Sequence, residues 1–212
     1  MEIKIERRNV KYCRILINPD ETVRVIAPHG FHVDGFIERK KPWIGGKIRE
    51  IRELTKDFDE KRDYLIFDGN FYRLKYDGAL RIEEGVIFAR NVKELERWIG
   101  NKLKKEMLEK VRFYSHLLGV NYGRVYIRKQ KTKWASCSSK GNLSFNIIIA
   151  ALPESLKDYV IIHELAHLIV PKHSRKFWSV VAQYYPKYKE AEKELKRYWL
   201  GIERNSVWKM LR

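Results

Sequence analysis

Residues Ser155–His173 read SLKDYVIIHELAHLIVPKH, and the fold and chemistry of the chain are best approached from there. His163 and His167 stand four apart with Glu164 between them, the pattern H-E-x-x-H. On a helix, side chains at i and i+4 lie on one face a turn apart, so both imidazoles can converge on one ion. Glu164 is rotated by about 100° from His163, near enough to reach a metal-held water without ligating the metal. The combination has a chemical logic. Zinc lowers the pKa of its water, and a carboxylate takes the proton as that water attacks a carbonyl.

The pattern requires a helix, and the spacing predicts one over 155–170. Ser155 with Asp158 can form a capping box. Tyr159, Ile162, Ala166 and Ile169 supply a buried face, and Pro171 ends the segment. Ile161, Leu165 and Leu168 make the helix largely apolar. Two His and a Glu are costly in such a helix unless a metal or hydrogen-bond partners meet them.

Catalytic zinc sites usually carry three protein ligands and a water. His173 follows His167 by six residues, as in the metzincin pattern H-E-x-x-H-x-x-G-x-x-H, except that Val170 stands at the glycine position. A thermolysin-like site would instead take a Glu from a later helix, with Glu190, Glu192 and Glu194 as candidates. Those three lie among Lys189, Lys193 and Lys196 as ordinary helix-surface partners, which favours His173. The expected set is therefore His163, His167 and His173 on the metal and Glu164 as the catalytic base.

Working outward, residues 175–185 and 187–200 read as further helices punctuated by Pro186 and Gly201. Upstream, Arg124–Ile127 and Leu143–Ile149 read as strands, with Trp134–Ser139 between them. Ser144 and Asn146 alternate with Leu143, Phe145 and Ile147, as on a strand with one apolar face. Such a strand can pair with an extended peptide or serve only as packing. Residues 91–118 form one long helix, with Asn91 and Glu94 as its capping box and Gly119 as its stop.

The first 90 residues are β-rich. Lys11–Ile17 and Thr22–Ala27 flank an Asn18-Pro19-Asp20-Glu21 turn. Tyr64–Phe67 and Phe71–Tyr76 flank Asp68-Gly69-Asn70, and Leu80–Ile82 and Val86–Ala89 flank Glu83-Glu84-Gly85. Between these hairpins, Asp34 is placed to cap a short helix and Pro42 to begin a second that runs to about Thr55. The expected fold class is α+β: a β-rich region over 1–90, then a small sheet and zincin-type helices over 91–212.

Lys and Arg number 44 against 27 Asp and Glu, a formal charge of +17. The balance favours anionic partners. From Lys110 to Pro153 there is no acidic residue among eight basic ones, and Tyr122, Tyr126 and Trp134 are interleaved, a mixture suited to nucleic acid. A solvated basic surface explains the same composition. No long apolar run or signal-peptide pattern is present, so a cytoplasmic protein is expected. Cys13 and Cys137 are too few for a disulfide framework and read as free thiols, with Cys137 a small residue in a turn. His29, His32 and His116 read as surface or packing residues.

Residues 131–146, KTKWASCSSKGNLSFN, are similar to the T-[KR]-W-G-S-C-S-x-x-G-x-[LI]-x-[LF]-N segment of the YgjP-like metallopeptidases. Pro153, Tyr159-Val160, the H-E-x-x-H pentad, His173-Ser174 and Phe177-Trp178 continue that likeness, with Ala135 standing where the family usually has Gly. The resemblance implies a zinc-dependent peptidase, with Zn2+ on His163, His167 and His173, Glu164 as catalytic residue, and a peptide or protein substrate. Two alternatives remain: a nucleic-acid-associated, SprT-like protease, and a basic zinc-binding module without catalysis. Glu164 argues against the last, since structural zinc sites are closed by four ligands and need no base.

Overall fold

The computed structural model describes residues 2–212, and its elements form an α+β arrangement of helices and three small mixed sheets. In the first sheet, Ile3–Arg7 (β1), Arg14–Ile17 (β2) and Val23–Ala27 (β3) lie in the order β1-β3-β2. β2 and β3 are the expected hairpin, with Ile15 opposite Val25. β1, which the turn signals did not reveal, adds parallel to β3.

One helix, Val33–Asp59 (α1), replaces the two short helices expected around Pro42. His32, not Asp34, is its N-cap, and no side chain caps it. Ile37, Ile44, Ile48, Ile51, Thr55 and Phe58 hold one buried stripe through the proline. That continuous burial outweighs the single backbone bond Pro42 cannot donate.

Leu65–Phe67 (β4), Asn70–Lys75 (β5), Arg81–Glu83 (β6) and Val86–Phe88 (β7) form a sheet in the order β4-β5-β7-β6. Its two hairpins are those expected. Asp68 and Gly69, and likewise Glu84 and Gly85, all have positive φ, as type I′ turns demand. The Asp68-Gly69 turn is also a docking point. Its two amides donate to Ala150 and Ala151 carbonyls at 2.8 and 3.0 Å, and a Cβ on Gly69 would stand 2.9 Å from Cβ of Pro153.

Val92–Leu118 (α2) follows the sequence closely. Asn91 Oδ1 accepts from the Glu94 amide at 2.9 Å, Glu94 Oε2 accepts from the Arg90 amide at 2.7 Å, and Gly119 closes the helix at φ 66. Val125–Arg128 (β8), Ala135–Cys137 (β9) and Leu143–Asn146 (β10) make the third sheet, in the order β8-β10-β9. The expected strand to Ile149 stops at Asn146, whose side chain caps a 3₁₀ turn over Ile147–Ala151. β10 is central and paired on both sides, so an edge for peptide addition lies on β9.

The remaining helices are Glu154–Ile169 (α3), Arg175–Tyr184 (α4), Tyr188–Arg204 (α5) and Ser206–Leu211 (α6). α3 begins after Pro153 without the Ser155–Asp158 box. Asp158 instead accepts from Lys110 at 2.7 Å. Ile169, expected inside, is 41% exposed, because the core side of α3 has passed by its last turn. α5 runs through Gly201 rather than stopping there. A Cβ at that position would lie 2.4 Å from the Phe58 ring, so this glycine lets α5 approach α1.

The larger core joins Leu65, Ile66, Phe67 and Ile87 to α2, the 3₁₀ turn and α3 to α6. Residues 65–89 thus share a core with the helices after residue 91. A smaller core, Val23, Val25, Ala27, Val33, Ile37, Ile44 and Ile48, lies between the first sheet and α1. Among the described residues no helix is long and apolar enough to cross a membrane.

Candidate metal centre and cleft

α3 presents His163 and His167 from successive turns, and the chain then doubles back to bring His173 beside them. One ligand atom from each of the three lies within 4.8 Å of the others, and the Nε2 atoms of His163 and His173 are 3.0 Å apart. The reversal needs no glycine. Val170 is extended at φ −135, which any residue adopts, Pro171 prevents continuation of the helix, and Ser174 caps α4. Ala135 is likewise ordinary strand backbone without positive φ, so the absent glycine leaves no strain there.

An aromatic wall fixes the three imidazoles. The fully buried ring of Phe177 lies 5.0, 4.6 and 4.8 Å from the rings of His163, His167 and His173. Trp178 stacks on His173 at 5.7 Å, and Tyr188 stacks on Trp178 at 5.2 Å. Spacing alone did not assign Phe177 this role, although its place four residues after His173 on a capped helix was a usable signal.

Burial, followed by the neighbouring imidazoles, pushes the His163 pKa down to about 3, and His167 is lowered for the same reasons. Both rings are therefore neutral near pH 7, the form that ligates a metal. Tyr159 Oη lies 3.4 Å from Nδ1 of His163, on the side of the ring away from His173. With the proton on Nδ1, Nε2 offers a lone pair toward His173. Two nitrogens bound to one tetrahedral ion would stand about 3.4 Å apart. The donor set and its spacing fit a first-row divalent cation.

Glu164 is 7% exposed, and burial pushes its pKa up to about 7 against the pull of the Lys133 charge and a Cys137 backbone hydrogen bond. Among the described residues it has no ion-pair partner at contact distance. Two contiguous hollows, about 330 and 630 Å³, meet at Ala135, His163 and Glu164. The smaller has Trp134, Val160 and Leu195 in its wall, and the larger is lined by Ser136, Ser138 and Ser139. β9 runs along both.

Glu190, Glu192 and Glu194 do not join the histidine cluster. Glu192 lines the smaller hollow, and Glu194 pairs with Arg197 at 3.0 Å. His29, His32 and His116 are exposed and outside the cluster. Cys137 lies on β9 rather than in a turn, and burial with the Glu164 charge pushes its thiol up to about 11, unlike a reactive thiolate. Among the described residues, two of the eight basic residues between 110 and 153 are ion-paired: Lys110 with Glu154 and Asp158, each at 2.7 Å, and Lys129 with Glu96 at 2.9 Å.

The family profile of the YgjP-like metallopeptidase domain matches residues 11–198. Among solved structures, the metallopeptidase zymogen abylysin of Pyrococcus abyssi is 29% identical over 42% of this chain and 90% of its own, with a TM-score of 0.40. The zymogen jannalysin of Methanocaldococcus jannaschii is 29% identical over 42% of this chain and 91% of its own, with a TM-score of 0.38. No curated protein matches the chain.

Proposed function

The chain belongs to the YgjP-like metallopeptidase family, and on that premise we propose that it hydrolyses peptide bonds with zinc on His163, His167 and His173 and with Glu164 as the general base. The observation that carries this reading is the convergence of three imidazoles beside a buried carboxylate that has no ion-pair partner among the described residues. Zinc, when bound, supplies Lewis acidity that lowers the pKa of its water and polarises the scissile carbonyl.

The protein's own groups do the rest. Phe177 and Trp178 hold the three rings in place, and Tyr159 favours the His163 tautomer with a free Nε2. Glu164 accepts a proton from the attacking water and delivers it to the leaving amine nitrogen as the C–N bond breaks. Burial, which raises the proton affinity of this carboxylate, suits it to both transfers. An extended substrate adds to the free edge of β9, with main-chain hydrogen bonds along Ala135–Cys137 and side chains entering the two hollows.

Elemental analysis of the purified protein, with His167→Ala alongside, tests the centre. The expected outcome is about one zinc per chain, lost in the variant. A protein that takes up no zinc after reconstitution would sink the peptidase reading.

A further inference from the structure

Resting on the peptidase reading above, we propose that Lys133 is a catalytic residue: its ammonium stabilises the oxyanion that forms on the scissile carbonyl oxygen. Hydrolysis of an amide builds a full negative charge on that oxygen as water adds to the carbon. A donor aimed at this charge strengthens in the transition state and so accelerates the reaction rather than merely binding substrate.

Lys133 lies immediately upstream of β9 and lines the smaller hollow together with His163 and Glu164. A peptide added to the edge of Ala135–Cys137 therefore passes in front of it. The backbone of Lys133 is fixed, because its carbonyl accepts from Nδ2 of the buried Asn146 at 2.9 Å. Its side chain is exposed toward the cleft and has no acidic partner within contact distance among the described residues. It is nevertheless close enough to act electrostatically on Glu164.

The other polar groups of this hollow are already engaged or carry the wrong charge. Lys196 is paired with Glu50 at 2.6 Å. Tyr159 Oη sits 3.4 Å from Nδ1 of His163, where it accepts from Nδ1–H on the side away from the converging Nε2 atoms. Glu192 is anionic. Among the described residues Lys133 is thus the cation of the hollow without an acidic partner, on a four-carbon stem that can follow a carbonyl oxygen as it moves out of the amide plane. Lys133 contributes charge and a hydrogen bond in this scheme, and Glu164 carries the proton from water to the leaving nitrogen.

The test uses the full-length, zinc-reconstituted protein, with Lys133→Met, Lys133→Arg and, as a surface-charge control, Lys131→Met. Turnover is followed on fluorescein-labelled casein and on a peptide taken from a mapped cleavage site. Binding of a phosphinic tripeptide, whose anionic oxygens imitate the adduct, is measured by calorimetry. Lys133→Met should lower kcat about 10²- to 10³-fold with KM within about threefold, and weaken phosphinate binding in parallel. Its zinc content should be unchanged. Lys133→Arg should recover to within about tenfold of wild type, and Lys131→Met should be unaltered.

Wild-type kcat and phosphinate affinity in Lys133→Met would overturn the inference and leave the peptidase reading standing. A rise in KM alone would also overturn it, making Lys133 a substrate-binding residue. A wild-type protein that neither turns over casein nor binds the phosphinate would break the peptidase reading itself, and the role of Lys133 with it.

Discussion

Helix α3 buries ionisable groups at both ends and treats them in opposite ways. In its first turns, the Lys157 side chain is 2% exposed and fully answered by the protein. Its Nζ donates to Asp68 Oδ1 and to both oxygens of Glu106, at 3.0 and 2.8 Å. Toward the other end, Glu164 is almost as buried, yet no side chain bonds to it, and His163 and His173 turn their nitrogens toward each other. A buried charge that only supports the fold is satisfied within the chain. One kept for chemistry is left for a ligand to complete, and the fold tolerates the cost elsewhere. Asp68 ties the first end to the sheet, because the turn it occupies docks on the residues just before α3.

The contrast is sharpest if each end is altered separately. Glu164→Gln should retain zinc but lower kcat about 10²- to 10⁴-fold, measured with metal content on the same sample. Activity near that of wild type would make the two ends equivalent.

A second measurement compares the metal-free proteins by chemical unfolding across pH. The Glu164 pKa is raised in the fold from 4.5 to about 7, so between those values the unfolded chain has lost a proton that the native one keeps. Stability from this group is complete below pH 4.5 and is lost as pH rises toward 7, by about 3 kcal/mol. His163, lowered to about 3, acts in the opposite direction: its neutral native form costs stability as pH falls below the unfolded value of 6.5. The two slopes oppose each other in the wild type. The difference between Glu164→Gln and wild type isolates the carboxyl and should favour the variant increasingly toward pH 7. A flat difference would mean that Glu164 has an unseen partner.

Lys157→Met should show the complementary result: wild-type kcat, and a stability loss of about 1–3 kcal/mol in urea unfolding. The loss is held below that of a fully buried pair because Asp68 and Glu106 keep partial contact with water. The smallest effect is expected of Tyr159→Phe, about tenfold in zinc affinity by competition with a chelating dye. An unchanged affinity would remove the hydroxyl from the support of His163.

The metal helix was readable because its constraints are local. An i, i+4 pair faces one way on any helix, and the Asn91 cap, the Gly119 stop and the two I′ turns obey rules spanning a few residues. Pro42 and Gly201 misled for the same reason. Locally they are breaks, but the stripe of isoleucines along α1 and the close contact with Phe58 override them. Lys157 and Lys133 are indistinguishable from surface lysines by composition. The acceptors of Lys157 are 51 and 89 residues away, and Lys133 acquires meaning only where β9 crosses α3.

By itself, the sequence determined the α+β class, the helix bearing H-E-x-x-H and the candidates His163, Glu164, His167 and His173, since helical period and residue chemistry suffice for each. Tertiary structure alone decided that β9 rather than β10 borders the cleft, that Phe177 backs all three histidines, and which buried charges are paired. Those facts depend on strand order and on contacts between distant segments, which no local pattern encodes.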